Sequence, residues 1–264
     1  MSLAAKLPFR HRHAAGFPGI GSQAVPTDAD ALDYLDRMAA ADGASVEVGV
    51  AVAVDAFFSR IKADGLFDSI KASCILCGAR TITGALVPLA GAAPTPEGGW
   101  ASGDYSRTAG LTGDGAALYL ESNRAGSDDS QDDCHVSVYV SAAAGASERT
   151  HISNSRTWIA EDDSATYFRL NAFASASVVS PNQTGFLGVT RISSGSISYR
   201  ISGTTTSAAS SSQIPLGDIE VFRKSDDSQY FDGTLAFYSI GSNVDLGTLD
   251  AAVTTLISDI GSAL

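Results

Sequence analysis

Apolar residues recur along this chain in two rhythms, and the rhythm changes twice. In VGVAVAVDAFFSRIKADG, the residues Val50, Val54, Phe57, Phe58 and Ile61 fall at helical spacing on one face. A preceding helix is predicted over DALDYLDRMAA. Thr27 serves as its N-cap, Asp30 lies in its first turn, and Leu32, Leu35, Met38 and Ala39 form its apolar stripe. Asp42-Gly43 and Gly65 end the two helices, and LFDSIK reads as a short helical turn. From Ala72 the period becomes two. Short strands are predicted at ASCILCGA, AALYLES, CHVSVYVS, THISNS, TWIAED, TYFRLNA, GFLGVTRI, SISYRIS, GDIEVFR and GTLAFYSI. Val136, Val138 and Val140 alternate with His135, Ser137 and Tyr139, and Ile197, Tyr199 and Ile201 alternate with serines and Arg200. Such alternation puts one face in a core and the other in water. The Pro/Gly-rich ALVPLAGAAPTPEGGW reads as a surface loop. Helical spacing returns in Leu246, Leu249, Val253, Leu256, Ile257 and Ile260.

These patterns predict a mostly β protein: an antiparallel sandwich with a small N-terminal helical unit and a C-terminal amphipathic helix. The division is 1–26 as an extended basic arm, 27–71 as the helical unit and 72–264 as the sandwich with its helix.

Composition narrows the function classes. Hydrophobic residues make up 44% of the 264, so the chain is globular rather than disordered. The net charge is −12. An acidic surface repels phosphate backbones, which excludes nucleic acid as a partner. No stretch approaches the ~18 apolar residues of a membrane span, so membrane insertion is not expected. Three cysteines do not suggest a disulfide framework. The opening MSLAAKLPFRHRHAAGF lacks an apolar leader core, which points to folding in a reducing cytoplasm. The arm carries Lys6, Arg10 and Arg12 and no acid. A basic arm on an acidic body suits docking onto a neighbour, with Lys6, Phe9, Arg10, His11, Arg12 and His13 as the contact residues.

Few residues have the spacing that chemistry demands. Cys74 and Cys77 form a CxxC, but zinc needs four ligands and no second pair exists, so buried thiols are expected. A glycosidase needs two carboxylates at a fixed separation. The nearest pattern, Asp218-Ile219-Glu220, lacks the third acid of the laminarinase-type motif. There is no G-x-S-x-G elbow, phosphate loop or dinucleotide fingerprint. The chain is therefore expected not to be an enzyme. Aromatic rings can stack on the apolar face of a sugar. Trp100, Tyr105 and Tyr230, in or near turns, are the candidate sugar contacts, while Trp158 is expected to be buried.

Four segments resemble a laminin-G-like, concanavalin-A-like jelly roll, in that family's order. They are AGLTGDGAALYLES, CHVSVYVS, GFLGVTRISSGSISYRISGTTT and FDGTLAFYSIGSNVDLGTLDAAVTTL. Gly113, Gly115 and Gly233 supply tight turns in this reading, and Tyr199 and Phe237 face inward. Residues 65–264 are also similar to structural proteins of tailed bacteriophages, which join a helical unit to such a domain. The resemblance implies a virion protein, assembled in the host cytoplasm as a homotrimer beside other virion proteins. It would be a tail fibre or tip component that meets a host-surface glycan. A capsid decoration protein and a free carbohydrate-binding module are the alternatives. Laminin-G domains often hold calcium in loops, which makes Asp128, Asp129, Asp132 and Asp133 candidate calcium ligands.

Overall fold

The computed structural model describes residues 25–264 except 144, 146, 147 and 227. Two helices come first: α1 (Ala29–Asp42) and α2 (Val48–Ala63). Then follow β1 (Ile70–Ile75), the short α3 (Ile82–Ala85), β2 (Pro88–Ala90), β3 (Thr95–Glu97), β4 (Tyr105–Ser106), β5 (Gly110–Thr112) and β6 (Tyr119–Ala125). The chain continues through β7 (Cys134–Ala142), β8 (Arg149–Ser153), β9 (Trp158–Glu161), β10 (Thr166–Arg169), β11 (Ala176–Val178) and β12 (Gly185–Ser193). Last come β13 (Ser196–Ile201), β14 (Thr204–Ala209), β15 (Asp218–Val221), β16 (Thr234–Gly241) and α4 (Leu246–Ala263). The segment read as a plain surface loop therefore contains β2 and β3.

The strands form two antiparallel sheets. One runs β14-β13-β12-β7-β16-β1-β2, with β5 added beside β16 and β4 beside β5. The other runs β11-β10-β9-β8-β15-β6-β3. Leu120, Val138, Ile152, Ile159, Phe168, Leu187, Tyr199 and Tyr238 fill the space between the two sheets. This is the mostly β sandwich that the periodicity predicts.

A third layer covers the outer face of the larger sheet. Phe57, Phe58 and Ile61 of α2 and Leu249, Val253 and Leu256 of α4 share a second core with Phe186 and Phe237. Each large side chain buried there contributes roughly 1.5–3 kcal/mol. This layer explains a departure from simple alternation. In β7, His135 and Ser137 are buried as well as the valines, because helices rather than water lie outside the sheet. It also corrects the placement of Phe237. That ring meets Phe57 edge-on, 6.1 Å between centroids, on the helical side and not between the sheets.

Local chemistry explains two further corrections. Asp28, not Thr27, caps α1, its carboxylate accepting from the amides of Asp30 and Ala31. The Thr27 amide instead donates to Asp55 of α2 at 2.8 Å. The buried stripe of α1 consists of Ala31, Tyr34, Leu35 and Met38, and Leu32 points to solvent. Gly233 is required for packing rather than for turning, since a Cβ there would meet the Phe231 ring and the Ala142 carbonyl.

Candidate functional site

The hairpin TWIAEDDSATYFR forms two walls of a cleft that carries aromatic rings and polar side chains. Asp162 fixes its turn, accepting from the amides of Ser164 and Ala165 at 2.8 and 2.9 Å. That turn sets the register: Ala160 lies opposite Tyr167, and Trp158 opposite Arg169. Side chains two apart on a strand share a face. Ile159 and Phe168 therefore enter the core, while Trp158, Ala160, Tyr167 and Arg169 stand on the outer face of the smaller sheet. The small Ala160 leaves a hollow between the two large rings. The result is a cleft of about 340 Å³ walled by Trp158 and Tyr167 and rimmed by Glu148, Lys224 and Gln229.

The walls are held in place. The Arg169 guanidinium lies 3.3 Å over the Trp158 ring, and the indole N–H donates to Ser175 Oγ at 3.0 Å. The Tyr167 hydroxyl donates to Asp162 Oδ2 at 2.7 Å. The hydrogen bonds from Ser164 and Tyr167 hold the Asp162 carboxyl down at about 2. Glu161 lies at the base of the cleft, almost wholly buried, and burial raises its pKa. Its Oε1 sits 3.8 Å from His151 Nε2, and neither atom makes a hydrogen bond among the described residues. Burial pushes His151 down to about 4, so its ring is neutral near pH 7.

A larger groove of about 710 Å³ lies between α1, α3 and the β2–β3 segment. Its walls are Ile82, Leu86, Pro88, Pro94, Pro96 and Trp100. Arg37 is its one charged residue, and it donates to the Pro88 carbonyl at 2.8 Å. Apart from Arg37 and Thr83 the side chains around this groove are apolar, whereas the smaller cleft is rimmed by polar ones.

The sequence-predicted residues do not assemble into one platform. Trp100 is half-buried, donates to the Tyr119 carbonyl at 3.1 Å and packs edge-on against Phe222. The Tyr105 hydroxyl donates to the Ala79 carbonyl at 2.8 Å, and burial pushes it well above its usual range. Tyr230 joins Tyr119 and Arg223, whose guanidinium lies 3.5 Å over the Tyr119 ring and is held by both oxygens of Glu220. Trp158, read as buried, is instead a cleft wall. The signal for it was the hairpin register, which brings Trp158, Ala160 and Tyr167 to one face.

Three of the four carboxylates of the acidic loop make local bonds, while Asp132 Oδ1 is buried without a hydrogen bond among the described residues. Asp128 accepts from the Ala125 amide, Asp129 holds Arg124 at 2.7 and 2.8 Å, and Asp133 accepts from Asn243. Among the described residues no cluster of three metal-binding side chains occurs. Cys74 packs between the sheets while Cys77 packs under the helices, so the CxxC thiols enter different cores. The arm residues Lys6, Phe9, Arg10, His11, Arg12 and His13 lie outside the described residues. No described helix is long and apolar enough to cross a membrane.

No family model matches the chain, and no curated protein does. Solved structures do. The binding domain of botulinum neurotoxin serotype D superposes with a TM-score of 0.50 at 15% identity, covering 72% of this chain and 52% of that one. The ligand-binding domain of the same serotype, in complex with N-acetylneuraminic acid, gives 0.48 at 13%, over 74% and 52%. Domain 4 of an extracellular GH43 arabinanase from Geobacillus stearothermophilus, in complex with arabinotriose, gives 0.39 at 12%, over 74% and 98%. The chain thus spans about half the length of the toxin domains. At these identities the likeness is one of fold: a β-sandwich of the kind built into the toxin's binding domain.

Proposed function

We propose that this chain is a receptor-facing, glycan-binding module that seats a short sugar segment in the Trp158–Tyr167 cleft. The observation that carries the reading is the hollow over Ala160, flanked by two locked aromatic rings and rimmed by Glu148, Lys224 and Gln229. The aromatic walls receive the C–H faces of a pyranose, and the polar rim meets its hydroxyls. Arg169 over Trp158 and Asp162 on Tyr167 fix both rings before a ligand arrives, which lowers the ordering cost of binding. The volume is at the low end of the roughly 300–1,000 Å³ of ligand pockets.

Binding without bond chemistry is part of the proposal. Both oxygens of Asp162 are engaged by the hairpin and Glu161 is almost wholly buried, so the two do not form a free acid–nucleophile pair across the cleft. In its finer form, the module is a tail fibre or tip component of a tailed bacteriophage, made in the host cytoplasm and held to the particle by its N-terminal region. That part rests on the resemblance of residues 65–264. The fold shared with a toxin's binding domain agrees with a receptor-facing use.

The test is a glycan array with the full chain, followed by calorimetry on the hits. Trp158→Ala should weaken binding by about tenfold or more. Ala160→Trp should abolish it by filling the hollow, and both variants should keep a cooperative thermal transition. The proposal fails if no glycan binds, or if the Ala160→Trp protein binds as well as the parent.

A further inference from the structure

We propose that β14 is a docking edge for a second copy of this chain, the two strands pairing antiparallel across a two-fold axis. The two sheets end in five edge strands, β14, β2, β4, β11 and β3, of which β4 is only two residues long. An edge strand displays unpaired N–H and C=O groups and invites another strand unless something blocks it. Edge β2 carries Pro88 and edge β3 carries Pro96, each lacking an N–H. Edge β11 is only three residues long and runs out just before Pro181. Edge β14 has neither defence. It is six residues long, Thr-Thr-Thr-Ser-Ala-Ala, and pairs with β13 alone. Five of its six residues are exposed.

Charge selects the occupant. The chain carries a net charge of −12, yet the run from Ile201 to Leu216 contains no charged residue. In a two-fold pairing the residue at the axis faces its own copy and its neighbours lie close by, so a charge there would meet its like. Neutrality is the condition for self-pairing. A basic or acidic partner strand would find no counter-charge along this margin. Apolar side chains are exposed nearby: Ile214 is 73% exposed and Leu216 48% in the segment after β14, and Ile192 73% at the end of β12, two strands in from the edge. Two backbone bonds hold the segment after β14 in place, from Ser212 to Ser194 at 2.8 Å and from Gln213 to Asn171 at 2.6 Å. The surface offered to the second copy is therefore built and not formed on contact.

With the axis at Thr206, which then lies opposite its own copy, the larger sheet runs unbroken through both copies. The Trp158–Tyr167 cleft lies on the other sheet, so each copy keeps its own free. A self-pairing edge makes a dimer and not the trimer that the sequence resemblance implied.

Sedimentation equilibrium of the full chain, over a concentration series, tests the proposal. The parent protein should be a dimer in reversible equilibrium with monomer. Thr206→Lys and Thr206→Glu each place like charges beside the axis and should each weaken self-association by about tenfold or more. Mixed in equal amounts, the two variants should recover a heterodimer. Amide hydrogens of residues 204–209 should gain protection as the parent's concentration rises. A parent that stays monomeric, a trimer, or a dimer indifferent to both substitutions would overturn it. A rise in exchange protection elsewhere, with β14 unchanged, would do the same.

Discussion

Arg191 grips the carbonyl oxygen of Leu170 with two nitrogens, Nε at 3.0 Å and Nη2 at 2.9 Å. The same fully buried guanidinium donates to the carbonyls of Ser193 and Ser210 and to Ser210 Oγ. One side chain from β12 thereby ties together the end of β10, the β12–β13 turn and the segment after β14. Burial draws its pKa down from the usual guanidinium value. Each carbonyl left buried without a donor costs about 1–3 kcal/mol, so Arg191→Leu should destabilise the fold by at least ~3 kcal/mol in urea unfolding. Arg191→Lys should recover only part, because an ammonium cannot present a planar fork. A Leu variant as stable as the parent would show that these loops do not depend on the residue.

Acid should weaken this protein well before its carboxylates protonate. Burial pushes His135 and His151 down to about 4 from 6.5. As pH falls through that window, the unfolded chain takes up protons that the folded chain refuses, so stability declines and the loss is complete below about 4. The scale is on the order of 3 kcal/mol for each ring. Glu161, raised by burial, acts oppositely and costs stability above the ordinary glutamate range. Urea midpoints measured between pH 7 and 4 should fall steeply, and His151→Gln should flatten the slope. Parallel slopes for the two proteins would contradict the assignment.

Gly110 closes the approach between β5 and β16. Its φ is +112°, and a Cβ there would stand 2.1 Å from the Leu235 carbonyl oxygen. Gly110→Ala should lower stability by about 2 kcal/mol or more, combining a strained backbone with a displaced strand. Gly195, with nothing within 4 Å and an ordinary φ, is the control, and its alanine variant should stay within ~0.5 kcal/mol. Thermal unfolding of the pair provides the comparison. Equal shifts would mean that the close approach at Leu235 relaxes without cost.

The three thiols should be inert in the native state. Burial pushes Cys74, Cys77 and Cys134 each up to about 12. At pH 8 the thiolate fraction is then about a thousandfold below that of a free cysteine. Ellman's reagent should leave the folded chain unmodified and titrate three thiols after denaturation. Fast reaction of one native thiol would reveal an opening that the packing does not contain.

Much of this architecture was legible from periodicity, and the misses share a cause. The stripe Leu246, Leu249, Val253, Leu256, Ile257 and Ile260 is buried in full, as is the face of α2 from Val50 to Ile61. Ile197, Tyr199 and Ile201 are buried as the alternation in β13 predicts. By contrast, His135 and Ser137 read as solvent positions but are buried, His135 against Ser242 and Ser239 and Ser137 against Ser239. Local pattern reports which face of a strand is apolar, and it cannot report that a distant helix will cover the other. The settings of Trp158 and Trp100, each half-buried and each lining a cleft, were hidden for the same reason. Their flanking residues say nothing of Phe222, which receives Trp100, or of Arg169, which props Trp158 at the surface.

The sequence by itself determined the element types, the sandwich class and the absence of a recognisable catalytic motif, because these depend on spacing along the chain. Only the tertiary structure decided that the helices form a third layer, that the CxxC thiols enter different cores, and that Ala160 leaves a hollow between Trp158 and Tyr167. Those outcomes depend on which surfaces meet across many residues. Contacts of that kind are set by the packing of whole layers, for which short-range pattern carries no information.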